Sequence, residues 1–244
     1  MKKRTWLAVV CLSLLVSLGF SIKAHAESTT NCASGTYDML DWMTLDSGLR
    51  DTYHISGNAN PLYTSLLGGK FYWTKGANGT PWDIQLFDSK FIYLWITEYD
   101  WTNPHTFKKF SQNTNLPLVP RCAKAGFPGS TIRVPNTSYQ TYTDCNHYTT
   151  QNLLKGINQV WGPYWVNLGG ALPSSLKVLV ASYRYNCNSN YANCGDKEEY
   201  YLAQKYGLVQ WAHYRLKSGT YELVQRTVFN QLVKGTTTPS FPCF

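Results

Sequence analysis

Taken at every second position, residues Phe91 to Trp101 (FIYLWITEYDW) divide into two sets. Ile92, Leu94, Ile96, Glu98 and Asp100 form one, aliphatic first and acidic last. Phe91, Tyr93, Trp95, Tyr99 and Trp101 form the other, broken only by Thr97. Successive side chains of a strand point to opposite faces, so this pattern predicts a strand with one aliphatic face for a core and a row of rings behind it. Such a row suits stacking on a sugar or packing beneath a second layer. Phe91 and Trp95 are expected in the core. Tyr99 and Trp101 stand beside the loop Thr102-Asn103-Pro104-His105, where binding residues concentrate, and are the candidate ligand platform.

Runs rich in Tyr, Trp, Val, Ile and Thr recur along the chain, separated by turn chemistry at Gly57-Asn58, Gly68-Gly69, Gly76 to Gly79, Asp88-Ser89, Phe127-Pro128-Gly129, Gly169-Gly170 and Ser218-Gly219. They predict strands over Lys70 to Lys75, Trp82 to Phe87, Phe91 to Tyr99, Ser130 to Val134, Tyr164 to Leu168, Leu176 to Tyr185, Tyr206 to Lys217 and Thr220 to Leu232. Two segments carry helical spacing instead. From Thr149 to Trp161 the residues Leu153, Leu154, Ile157, Val160 and Trp161 fall on one helical face, with Thr149 as cap and Gly162-Pro163 as stop. Tyr37 to Arg50, with Met39, Leu40, Trp42 and Met43, is the second. Strand and helix do not alternate regularly, so the expected fold is mainly β: a two-sheet antiparallel β-sandwich of jelly-roll type with one or two short helices.

The first residues change the picture at one end. MKKRTW is basic, Leu7 to Phe20 is apolar, and Ala24-His25-Ala26 has the small-x-small pattern of a signal-peptidase site. Residues 1–26 are therefore expected to be a signal peptide of bacterial type and residues 27–244 a single β-sandwich domain, secreted or periplasmic and with no membrane segment after cleavage. Cleavage removes Lys2, Lys3, Arg4 and Lys23, leaving 18 basic against 14 acidic residues, an excess of +4 in place of +8. Half of the apparent basic character thus belongs to the leader, and no basic run argues for a nucleic-acid partner. A monomer is expected.

Cleavage also takes Cys11, and six cysteines remain. An even count in an exported chain predicts three disulfides. The pairing expected is Cys187 with Cys194 as a tight loop clip, Cys122 with Cys145, and Cys32 with Cys243 tying the termini.

The most polar constellation is the last predicted hairpin. A turn at Ser218-Gly219 pairs Lys217 with Thr220, Arg215 with Glu222, His213 with Val224 and Trp211 with Arg226. Trp211, His213, Arg215, Glu222 and Arg226 would then share one face, offering a stacking plane, charge-assisted donors and proton-transfer groups. In a catalytic reading His213 and Glu222 transfer protons while Arg215 and Arg226 hold a substrate carboxylate; in the structural one the face is an exposed strand with one ion pair. Glu98 and Asp100 lie within the separation of a glycosidase carboxylate pair, but two acids at a strand end are ordinarily solvated.

The remaining motifs are weak. Asn186 to Asp196 (NCNSNYANCGD) has the spacing of a calcium loop but a single carboxylate, and reads as a clipped turn. His54, His105, His147 and His213 are scattered singly, so no metal or cofactor is expected. No G-x-S-x-G nucleophile elbow is present. In style the chain is similar to carbohydrate-active jelly rolls. The leading expectation is a glycan-binding protein that uses surface aromatics on a carbohydrate or polysaccharide ligand. The alternatives are a polysaccharide lyase or glycosidase acting through the last hairpin, and a protein-interaction module.

Overall fold

The computed structural model describes residues 31–57, 62–67, 70–75, 80–100, 105–110, 116–124, 126–153, 155–238 and 243. Residues 1–26 and Trp101, with the expectations placed on them, lie outside the described residues.

Among the described residues the protein is mainly β, with two short helices. In chain order the first elements are β1 (Thr36–Asp38), α1 (Met39–Met43), α2 (Ser47–Arg50), β2 (Tyr53–Gly57), β3 (Leu62–Leu67), β4 (Lys70–Lys75), β5 (Thr80–Phe87) and β6 (Phe91–Asp100). There follow β7 (Thr106–Phe110), β8 (Leu116–Pro120), β9 (Cys122–Lys124), β10 (Thr131–Val134), β11 (Thr137–Tyr142) and β12 (Tyr148–Leu153). The last five are the longer strands β13 (Gly156–Val166), β14 (Leu176–Cys187), β15 (Cys194–Ala203), β16 (Gly207–Lys217) and β17 (Thr220–Lys234).

Strands β1 and β9 form a small antiparallel ribbon. The others belong to one sheet in the order β10-β13-β14-β15-β16-β17-β2-β3-β4-β5-β6-β7-β11-β12, with β8 branching from β6. From β13 to β17 and from β2 to β6 each strand pairs with its sequence neighbour, so the connections there are hairpins. The two series meet where β17 lies antiparallel to β2, with Leu232 opposite Ile55. The sheet folds over so that its halves face one another across a shared core: Ile55 of β2, Ile92 of β6, Val119 of β8, Leu179 of β14 and Leu202 of β15 join one cluster. Where the sheet comes round, Asn158 of β13 donates to the Pro117 carbonyl of β8 at 2.6 Å. The two facing antiparallel layers expected from the alternation are thus made from one continuous sheet.

The helices close one end of this core. Asp38 caps α1 by accepting from the Leu40 amide at 3.0 Å, and Met39, Leu40, Trp42 and Met43 are buried while Asp41 faces out. Arg121, 2 % exposed, grips the Asp38 carboxylate through Nε and Nη2 in a bidentate ion pair, a geometry that suits a guanidinium. Of the helix expected over Tyr37 to Arg50, Met39–Met43 and Ser47–Arg50 are helical, while Tyr37 and Asp38 belong to β1.

The helix expected over Thr149 to Trp161 is absent: the segment forms β12 and the start of β13. Residues Gly156 to Val160 are buried without alternation, because layers cover both faces of β13. In a strand buried on both sides the apolar positions are free to fall at any spacing, helical spacing included. A side chain at Gly156 would also sit 2.8 Å from the Arg184 carbonyl, so glycine there allows β14 to approach.

Three disulfides are present: Cys187 with Cys194 as expected, but Cys32 with Cys122 and Cys145 with Cys243. The pairings of Cys32 with Cys243 and of Cys122 with Cys145 are corrected. The physical reason is the β1–β9 ribbon, which sets Asp38 opposite Cys122 and brings the segment before β1 to that cysteine. The two long links join segments 90 and 98 residues apart through pairings that composition does not report. Three disulfides are compatible with an extracellular location, and no helix among the described residues is long and apolar enough to cross a membrane.

Candidate functional site

Between the facing halves of the sheet lies a cavity of about 590 Å³. One wall comes from β14 to β17 and the other from β3 to β8 and β11, with Met43 of α1 also in the lining. Its lining is mixed. Trp73, Leu94, Phe110 and Phe229 supply apolar surface, while Asp83, Ser182, Glu198, His213, Gln225 and Thr227 bring polar groups inside.

The polar centre is Glu198, in the middle of β15. Its Oε2 accepts the Tyr200 hydroxyl at 2.6 Å and the Trp211 indole N–H at 2.9 Å; its Oε1 accepts the Tyr185 hydroxyl at 3.2 Å. Cross-strand register explains the convergence. Residue 198 stands opposite Tyr183 of β14 and His213 of β16, and Tyr200 stands opposite Trp211, so alternate residues of three neighbouring strands share the inner face. Burial and the nearby Glu198 charge push the phenols of Tyr183, Tyr185 and Tyr200 well above the ordinary tyrosine value, with Asp83 adding to the effect at Tyr183 and Tyr200. Tyr185 and Tyr200 therefore stay protonated and act as donors to the carboxylate.

Beside this cluster, His213 Nε2 lies 3.2 Å from Asp196 Oδ1, and its ring stacks against Trp211 with centroids 6.3 Å apart. Asp196 also accepts from Asn186 at 3.0 Å and has Arg215 Nε at 3.6 Å. Across the cavity Asp83, 5 % exposed, accepts from the Thr97 hydroxyl. At the rim Lys108 binds Glu98 at 2.6 Å.

The last hairpin keeps its expected register only near the turn. Lys217 pairs with Thr220 and Arg215 with Glu222, but a bulge between His213 and Tyr214 passes over Val224. His213 is then opposite Gln225, Trp211 opposite Thr227 and Ala212 opposite Arg226. The pairings of His213 with Val224 and of Trp211 with Arg226 are corrected: one inserted residue turns Arg226 to the other face. Trp211 and His213 line the cavity with Gln225 and Thr227, whereas Glu222 is exposed and bound by Lys217 at 2.8 Å.

The aromatic row of β6 is also interrupted. Trp95 is buried in a cluster with Ile84, Ile96, Phe107 and Tyr142, covered by Lys70 Nζ at 4.3 Å from its ring. Phe91 and Tyr93 pack edge to face at 5.7 Å, and the Tyr93 hydroxyl donates to Asp88 at 3.0 Å, with burial raising that phenol to about 12. Strict alternation ends at Glu98, whose φ of 55° accompanies a register shift between Thr97 and Asp100. The side chains of Tyr99 and Asp100, like all of Trp101, fall outside the described residues. In the Asn186 to Asp196 loop the side-chain oxygens of Asn188 and Asn190 accept turn amides from Ala192 and Asn193, a structural turn.

Sequence reasoning found Trp211 and His213 but missed Glu198, Tyr185, Tyr200 and Asp83. The available signal was the tyrosine pair in KEEYYLA (Lys197 to Ala203), where period two puts Glu198, Tyr200 and Leu202 on one strand face, in a stretch assigned to no element. No family model, curated protein or solved structure matches this chain.

Proposed function

We propose that this protein binds a small molecule inside the folded sheet. The observation that supports it most is the cavity itself: about 590 Å³, lined by rings and converging polar side chains, which lies within the roughly 300 to 1,000 Å³ common for ligand sites. The glycan expectation then changes in scale, from a polysaccharide across surface rings to a molecule of one or two rings enclosed among Trp73, Tyr185, Tyr200 and Trp211. A binding role accords with a carboxylate whose partners are three fixed neutral donors and with Glu222 held by Lys217 on the exposed hairpin.

A thermal-shift screen of simple sugars, amines and carboxylic acids tests this reading. A ligand at 100 times its Kd stabilises the folded state by about 2.7 kcal/mol, a readily measured rise in Tm. Ala181→Phe, which places a ring in the cavity, should abolish the rise while circular dichroism stays that of a β-protein. A rise that persists in Ala181→Phe would locate binding elsewhere, and no rise with any class would remove the proposal.

A further inference from the structure

We infer that the cavity's ligand is an organic cation, an ammonium group on a ring or other apolar body, seated with its charge against Glu198. This rests on the cavity being a binding site and names the class of molecule it takes.

Hydrogen-bonding capacity points to that class. A carboxylate offers about four acceptor positions, and Tyr185, Tyr200 and Trp211 fill three on Glu198. All three donors are neutral. Among the described residues no lysine or arginine forms an ion pair with Glu198: Lys108 is held by Glu98, Lys197 by Glu199, Arg121 by Asp38, Arg215 approaches Asp196, and Lys217 is held by Glu222. Glu198 is therefore held inside the sheet by dipoles, with one acceptor position left and no ion-pair partner among the described residues, and an incoming cation supplies one.

The same count disfavours the other classes. An anion would need a cationic group free to face the cavity, yet Lys108, the lysine among the described lining residues, is held by Glu98, and His213 stands against Asp196. A neutral polyol could bond to Ser182, Gln225 and Thr227 in the lining, but it would bring no charge to set against the Glu198 and Asp83 carboxylates. Ring faces complete the match. Trp73 and Tyr200 stack with centroids 5.8 Å apart, and Trp211, opposite Tyr200 in register, donates to the same oxygen of Glu198. An aromatic face attracts a cation and accommodates an apolar body equally well.

Three probes of one shape separate the classes: phenethylamine, 2-phenylethanol and phenylacetate, titrated calorimetrically near pH 7 into the oxidised protein. The amine is expected to bind at least tenfold more tightly than the alcohol, with phenylacetate weakest. Glu198→Gln, which keeps the shape and removes the charge, should bring the amine to the alcohol's affinity and leave the alcohol unchanged. Alcohol or acid binding as tightly as the amine, or an amine preference that survives Glu198→Gln, would overturn the inference while leaving the cavity as a ligand site. If Glu198→Gln fails to fold, the amine-to-alcohol ratio in the unaltered protein decides alone. Binding of none of the three, with no effect from Ala181→Phe in the wider screen, would remove the site and the cation together.

Discussion

Polar residues that alternate with apolar ones ordinarily mark the solvent face of a strand, and in β5 they mark the interior. Asp83 and Gln85 alternate with Trp82, Ile84 and Leu86, yet Asp83 lines the cavity and Gln85 is fully buried. Neither the amide nitrogen nor the amide oxygen of Gln85 has a hydrogen-bond partner. A buried polar group left unpaired costs about 1 to 3 kcal/mol, so Gln85→Leu is expected to raise stability by that amount, read as a higher urea midpoint at constant slope. A lower midpoint would show that the amide is satisfied in solution. The same inversion hid the site in the sequence. Trp211 and His213 could be read because they sit in a hairpin with a clear turn. Glu198 and Asp83 could not, since an acid at a period-two position carries the signature of a wetted face, and only the folding of the sheet decides which face is inside.

Among the elements, long runs of β-branched and aromatic residues were legible, β14 included although Val178 to Ser182 are buried without alternation, and short strands such as β2 and β7 were not. β4, β14, β16 and β17 lie close to their expected bounds, and β6 extends one residue further. β13, buried on both faces, gave a helical spacing, and the exposed β12 gave no apolar pattern of its own. Bulges were illegible because a single residue that slips register leaves no mark in composition. One of them makes a sharp demand. Where β17 meets β2 its register shifts between Phe229 and Gln231, and a side chain at Gly57 would stand 1.8 Å from the Val228 carbonyl oxygen. Gly57→Ala should therefore destabilise by about 3 kcal/mol or more, among the larger effects of single substitutions. Gly219→Ala serves as the comparison, since a side chain there meets nothing within 4 Å although its φ of 83° carries some strain. Equal losses from the two in chemical denaturation would show that the seam has room to give.

For the whole molecule the even cysteine count foretold three links, and topology chose which. Cys32–Cys122 and Cys145–Cys243 span 90 and 98 residues, Cys187–Cys194 only 7. In the chain-entropy account, removing either long link as a Cys→Ala pair should lower stability by about 4 to 5 kcal/mol, and removing the short one by about 2. Titration of the oxidised, denatured protein should find no free thiol in residues 27–244. A short-link variant more damaged than both long-link variants would mean that native geometry at the β14–β15 turn, rather than chain entropy, sets the order. The seam between β17 and β2 has a consequence for the order of assembly. Ile55 must wait for Leu232, which follows it by well over half the length of the chain, and contacts so distant in sequence form late and slowly. A nascent chain halted at Lys217 would hold β2 as an open edge, with Glu198 and its three donors facing water instead of an enclosed space. The cavity is thus closed only once β17 has joined β2, and the proposed ligand site cannot form before that strand has been made.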